Sequence, residues 1–96
     1  MHVVVNHLHL RDPMPPEIVE KAHEAVRSVV DAGGRAAYVA QVDDSHLVLI
    51  LLFDGPEDAA RVARDVGGPW MRENIVPLLA RDTERSVGEI IASAGA

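Results

Sequence analysis

The sequence predicts an α+β fold, in which one antiparallel four-stranded sheet carries its helices on a single face. Three observations predict it. Six short periodic stretches follow one another as strand, helix, strand, strand, helix and strand, with Gly or Pro at most of the junctions. At 96 residues the chain has room for one domain, covering residues 1–96. The strand stretches are apolar on more than one side.

The first stretch, His2 to Leu10, is rich in β-branched Val and reads as a strand. It stops at Arg11-Asp12-Pro13, and Pro15-Pro16 can open a helix. From Glu17 the period becomes helical. Ile18, Ala22, Ala25, Val26 and Val29 form one stripe, with charged residues elsewhere. Glu17 and Lys21 make a supporting i,i+4 pair. Gly33-Gly34 supplies the left-handed stop. Arg35 to Val42 and Ser45 to Phe53 read as two strands of a tight hairpin joined at Asp43-Asp44. Asp54 is placed to cap a helix, with Glu57 three residues on. Ala59, Val62, Ala63 and Val66 give that helix its apolar stripe, and Gly67-Gly68-Pro69 is expected to break it. Trp70 to Ala80 reads as a further helical piece limited by Pro77, and Thr83 to Ser93 as the last strand. This βαββαβ order is that of ferredoxin-like folds.

Composition narrows the function classes. Nine Lys and Arg against fifteen Asp and Glu give a formal charge of −6, which argues against electrostatic binding of nucleic acid. With no cysteine, disulfides, Cys-ligated zinc and thiol catalysis are excluded, and a reducing cytoplasm is the expected setting. The longest apolar run, Leu47 to Phe53, falls far short of the ~20 residues of a membrane span. The N-terminal residues do not read as a secretory signal.

Side-chain alternation predicts an unusual sheet. Val3 and Val5 share one face of the first strand, and Val4, Leu8 and Leu10 the other. In the third strand Val48, Ile50 and Leu52 alternate with Leu47, Leu49, Leu51 and Phe53. In the last, Val87 and Ile91 oppose Ile90. Helices cover one face. Covering about 600 Å² of the other would contribute roughly 15 kcal/mol before association costs. The expected cover is a second copy of the chain, since the tail after Ser93 is only Ala94-Gly95-Ala96.

In its element order, length, doubly apolar strands and the segment Gly67-Gly68-Pro69-Trp70-Met71-Arg72-Glu73-Asn74, the chain resembles the dimeric α/β-barrel superfamily over about residues 2–93. Within it, the resemblance is to the antibiotic-biosynthesis-monooxygenase-like proteins. The resemblance implies a homodimer of two paired sheets, with a pocket for an apolar, often aromatic, small molecule. It implies oxygenation without a cofactor, while the aromatic content of only 3% leaves a non-catalytic ligand-binding or scaffold role open. Heme-degrading relatives use an Asn on the first strand, a Trp on the later helix and a His about ten residues beyond. Asn6 and Trp70 match the first two, but residues 78–82 are Leu, Leu, Ala, Arg and Asp, so the His is missing. Polyketide monooxygenases of this kind hold their substrate with Asn, Trp and Tyr, for which Asn6, Trp70 and Tyr38 are the candidates.

The residues themselves leave alternatives open. Asn6 interrupts an apolar strand, and its amide needs a partner, whether ligand or protein. His7 and His9 share a strand face. They suit a metal completed by His46 or a carboxylate, a general base (His9), or a solvent-facing edge. Trp70 suits a pocket wall or a core plug. Tyr38 stands among Ala36, Ala37 and Ala40, which leave room for a ligand or for close packing. The expected site is Asn6, His9, Tyr38 and Trp70, with no bound metal or cofactor. His2 and His23 read as surface residues, and Gly67-Gly68 lacks the spacing of a phosphate loop.

Overall fold

The computed structural model describes residues 1–95. Strand β1 (His2–His9) leads through a connection holding Pro13, Pro15 and Pro16 to helix α1 (Glu17–Asp31). Glu17 and Glu20 lie in the first turn of α1, where the helix dipole favours negative charge. The predicted glycine stop holds. Gly33 has φ of 120°, and the Gly34 N–H donates to the Val29 carbonyl at 2.9 Å.

Strands β2 (Ala36–Asp43) and β3 (His46–Phe53) form the expected hairpin. The Ser45 N–H donates to Asp43 Oδ1 at 2.9 Å, and a register shift falls between Gln41 and Asp43. Asp54 does not cap the next helix. Its carboxylate pairs with Arg35 at 3.5 Å, and Gly55 takes the cap position with Pro56 behind it.

Helix α2 (Pro56–Val62) does not break at Gly67-Gly68-Pro69, which corrects the sequence expectation. It widens into a π turn (Ala63–Gly67) and continues as α3 (Gly68–Asn74). The Gly68 N–H donates to the Ala63 carbonyl five residues back. Pro69 has no N–H to give, and the wider turn absorbs that loss inside a continuous helix. Pro77 is the effective stop. The helical piece expected to reach Ala80 ends at Asn74, followed by a 3₁₀ turn (Val76–Leu78). Strand β4 (Glu84–Glu89) is also shorter than expected, because its pairing runs out where the Ile90 N–H reaches the Met1 carbonyl.

The sheet order is β2-β3-β1-β4, with every neighbouring pair antiparallel. That order and the helix placement make the fold α+β and ferredoxin-like, as the sequence predicts. The register puts Val4, Leu8, Leu47, Leu49, Leu51 and Phe53 under the helices, all buried. Two adjoining cores result. One joins Val4, Leu49, Leu51 and Phe53 to Val29, Ala59 and Val62. The other joins Leu8 and Leu47 to Ile18 and Ile75, with Trp70 and Met71 against it.

The opposite face, hereafter the open face, carries Val3, Val5, Val48, Ile50 and Leu52, which only their sheet neighbours half-cover. Residues 91–95 are exposed and do not shield it, and Ile91 is 96% exposed. Among the described residues no helix is long and apolar enough to cross a membrane.

Candidate functional site

The π turn and α3 stand off the sheet near β4 and leave a cleft of about 420 Å³. Val4, Leu49, Leu51 and Phe53 form its floor. Its polar lining is Asn6, Thr83 and Arg85 on the sheet side and Arg72 on α3. Asn6 and Arg85 are cross-strand partners, so their side chains leave the same sheet face a few ångströms apart. Val4 and Leu8, two residues to either side of Asn6, are buried core residues. The strand period therefore turns the half-buried Asn6 towards the helices, and the gap beneath the π turn keeps it accessible.

Among the described residues no side-chain hydrogen-bond partner for Asn6 is present, yet it is not an orphaned buried group. Its amide faces the open space of the cleft with its donors and acceptor free. Arg72 and Arg85 have no ion-pair partner among the described residues. The Arg72 guanidinium lies over Gly68, where a Cβ would stand 3.4 Å from Nη1. The chain carries a net charge of −6, while both charged residues lining this cleft are cationic. An apolar floor with positive charge at its rim attracts a hydrophobic molecule bearing negative charge.

The structure does not gather Asn6, His9, Tyr38 and Trp70 into one site. Asn6 alone lines the cleft. Trp70 packs on the other side of α3, beside Leu8, Ile18, Leu47 and Ile75 around a void of about 20 Å³. It anchors α3, and Asn74 Nδ2 donates to its carbonyl at 3.1 Å. Tyr38 pairs with Ile50 on the open face and is 57% exposed. It also borders a separate groove of about 370 Å³ between α1 and β2. His9 pairs with His46 and likewise belongs to the open face.

The histidines do come together there. His7 Nδ1 and His46 Nε2 share a 3.0 Å hydrogen bond, in which one ring donates and the other accepts. His9 stacks on His46 with ring centroids 4.3 Å apart, and its Nε2 lies 3.5 Å from Glu84. Partial burial chiefly holds the His9 imidazole below its ordinary pKa. Arg81, His46 and His7 add to this and outweigh the opposing pull of Glu84. Stacked rings do not aim their nitrogens at one point. Among the described residues no group of three or more His, Cys, Asp or Glu is arranged to hold a metal.

Sequence reasoning missed Arg72 and Arg85. Arg72 was in plain view in the segment after the double glycine. Arg85 acquires meaning only once the register sets it opposite Asn6.

Solved structures share this architecture. NE2512, a protein of unknown function from Nitrosomonas europaea, aligns with a TM-score of 0.84 at 11% identity, over 99% of this chain and 93% of its own. SnoaB, a cofactor-independent oxygenase from Streptomyces nogalater, aligns at 0.78 and 13% identity, over 96% and 94%. A mutant of MhuD, solved with two manganese protoporphyrin IX molecules per active site, aligns at 0.74 and 11%, over 100% of both chains. The chain has their fold. It is the fold of antibiotic biosynthesis monooxygenases and proteins like them, as the resemblance implies. No protein-family model matches the sequence, and no curated protein does either. At these identities the shared feature is the backbone, and the chemistry has to be argued from the residues of this chain.

Proposed function

We propose that this chain is a small homodimeric α/β-barrel protein that binds an apolar molecule in the cleft and oxygenates it without a cofactor, a monooxygenase of the antibiotic-biosynthesis type; among the similar structures SnoaB is a cofactor-independent oxygenase. The observation that supports this reading best is the cleft wall, with its apolar floor, one free amide and two guanidiniums that lack carboxylate partners among the described residues. A hydroxylated aromatic such as an anthrone suits such a wall. Its rings leave water on the floor, and its oxygen meets Asn6 and Arg85. Both groups stabilise negative charge on that oxygen as the ring carbon loses a proton.

The electron-rich carbon is itself the reductant for dioxygen. A CH₂ becomes a carbonyl, with one oxygen atom entering the product and the other leaving as water. The lining of the cleft contains no His, Asp or Glu, so the proton passes to solvent and the rate follows the ionisation of the substrate. Trp70 acts as a positioning residue by fixing α3, which carries Met71 and Arg72 to the cleft.

Pairing through the open face is part of the same proposal. Neither β1 nor β3 contains an Asp, Glu, Lys or Arg, and depletion of charge marks the core of interfaces. The cytoplasm is the proposed setting, to which a cysteine-free chain is suited.

Oxygen uptake with a panel of hydroxylated anthrones and quinols tests the chemistry. Asn6→Ala and Arg85→Ala are each expected to lower turnover by ~10²–10³, the loss typical of an oxyanion donor. His9→Ala is expected to leave it unchanged. Full activity in both cleft variants would remove these residues from the mechanism. The same lack of a base in the lining favours a second reading, a non-catalytic binding protein. It would show saturable binding of the same compounds with no uptake.

A further inference from the structure

The open face carries a feature that its proposed pairing does not need. His7 and His9 on β1 and His46 on β3 sit at one end of the same face as Val5, Val48 and Ile50. Three imidazoles lie within one hydrogen bond and one stack of each other. We infer that pairing of two copies through this face is gated by protonation of the cluster, so that the protein associates at neutral pH and separates in mild acid. The inference rests on the pairing proposed above and adds its regulation.

The charged groups around the cluster support this direction. On β4 Glu84 lies 3.5 Å from His9, but Arg81, in the turn before β4, also reaches Glu84 Oε1 at 3.5 Å. On the β2 side Asp43 is the register partner of His46, and its Oδ1 already accepts from Ser45. Three imidazoles therefore share carboxylates that are already engaged. A first proton on the cluster is compatible with the 3.0 Å hydrogen bond, which needs one ring to donate and the other to accept. A second proton places like charges across a 3.0 Å contact or a 4.3 Å stack. Exposed to water, those charges are tolerated. Pressed against the apolar face of a second copy, they lose hydration.

General electrostatics predicts the opposite sign. A chain of net charge −6 approaches neutrality as the pH falls, so overall repulsion between copies weakens in acid. Dissociation in acid therefore points to the cluster.

Sedimentation of the full chain from pH 8 to pH 5, with far-ultraviolet circular dichroism on the same samples, tests the inference. If each protomer must shed one proton to pair, Kd rises ~100-fold per pH unit below the imidazole range, by linkage of two protons per dimer. The circular dichroism should not change across the transition. The triple variant His7→Gln, His9→Gln, His46→Gln, and His9→Gln alone as a milder change, should stay paired down to pH 5. A dimer that persists in wild type at pH 5 overturns the gate and leaves the pairing standing. A monomer at every pH overturns the pairing and the gate with it. Acid dissociation that the histidine variants do not alter, or that coincides with unfolding, also overturns the gate.

Discussion

Two adjacent glycines where the π turn passes into α3 should respond differently to the same added methyl group. A Cβ on Gly67 would meet only the Val62 carbonyl oxygen, at an ordinary 3.8 Å. Gly67→Ala therefore gains helix propensity with no steric penalty, about 0.8–1 kcal/mol. A Cβ on Gly68 would stand 2.8 Å from the Ala63 carbonyl oxygen, a backbone atom that already accepts the Gly68 N–H. Relieving that overlap means opening the π turn. Overpacking of this kind costs about 1–3 kcal/mol, which cancels or exceeds the propensity gain. The two variants should differ by about 2 kcal/mol, and Gly68→Ala should be the less stable. In a domain of this size that is a separation of roughly 8–16 °C in Tm. Urea denaturation with unchanged m-values, backed by thermal melts, measures it. If Gly68→Ala is stabilised as much as Gly67→Ala, the helix does not widen at this point, and the account of how the cleft is held open fails.

Other outcomes follow from single residues. Ile75 is 1% exposed at the centre of the second core, so Ile75→Ala should cost about 2–5 kcal/mol, measured by urea unfolding. Gly33→Ala forces φ of 120° on an L-residue and drives its Cβ to 2.5 Å from the Arg61 guanidinium, so a loss of about 1–3 kcal/mol is expected in the same assay. Folding lowers the proton affinity of His9, so the unfolded chain binds the proton more readily. Stability is then complete above the ordinary imidazole range and falls as the pH drops through that range, and His9→Gln should flatten this part of a pH–stability curve. Tyr38→Ser should weaken self-association in sedimentation while leaving ligand binding in the cleft unaltered, because Tyr38 lies on the open face.

The fold was legible because its local signals agreed with one another. The alternation in β1 and β3, the Gly33 stop and the acidic hairpin each report on neighbours in sequence, and each was realised. The failures share a different character. At Gly67-Gly68-Pro69 the local preference for a break lost to the burial of Val62, Ile75 and Trp70, which holds the helix together on both sides of the proline. Asp54 lost its capping role to an ion pair with Arg35, a partner distant in sequence that the β2–β3 pairing brings near.

The candidate site was only partly legible, for two distinct reasons. Parity alone separates Asn6, in step with Val4 and Leu8, from His9, in step with Val3 and Val5, so that division was written in the strand. Placing Arg85 beside Asn6, or Tyr38 on the open face, needs the cross-strand register, which no single strand encodes.

The widened turn between α2 and α3 also has an evolutionary consequence. Each residue in a helix advances the next by about 100°. Losing a single amino acid between Ala63 and Gly67 would swing everything downstream around the helix axis. The indole now packed beside Ile18 of α1 would change places with its neighbours, and a different set of side chains would look down on Asn6. A one-residue insertion or deletion in this stretch could therefore re-line the ligand chamber without altering the sheet beneath it.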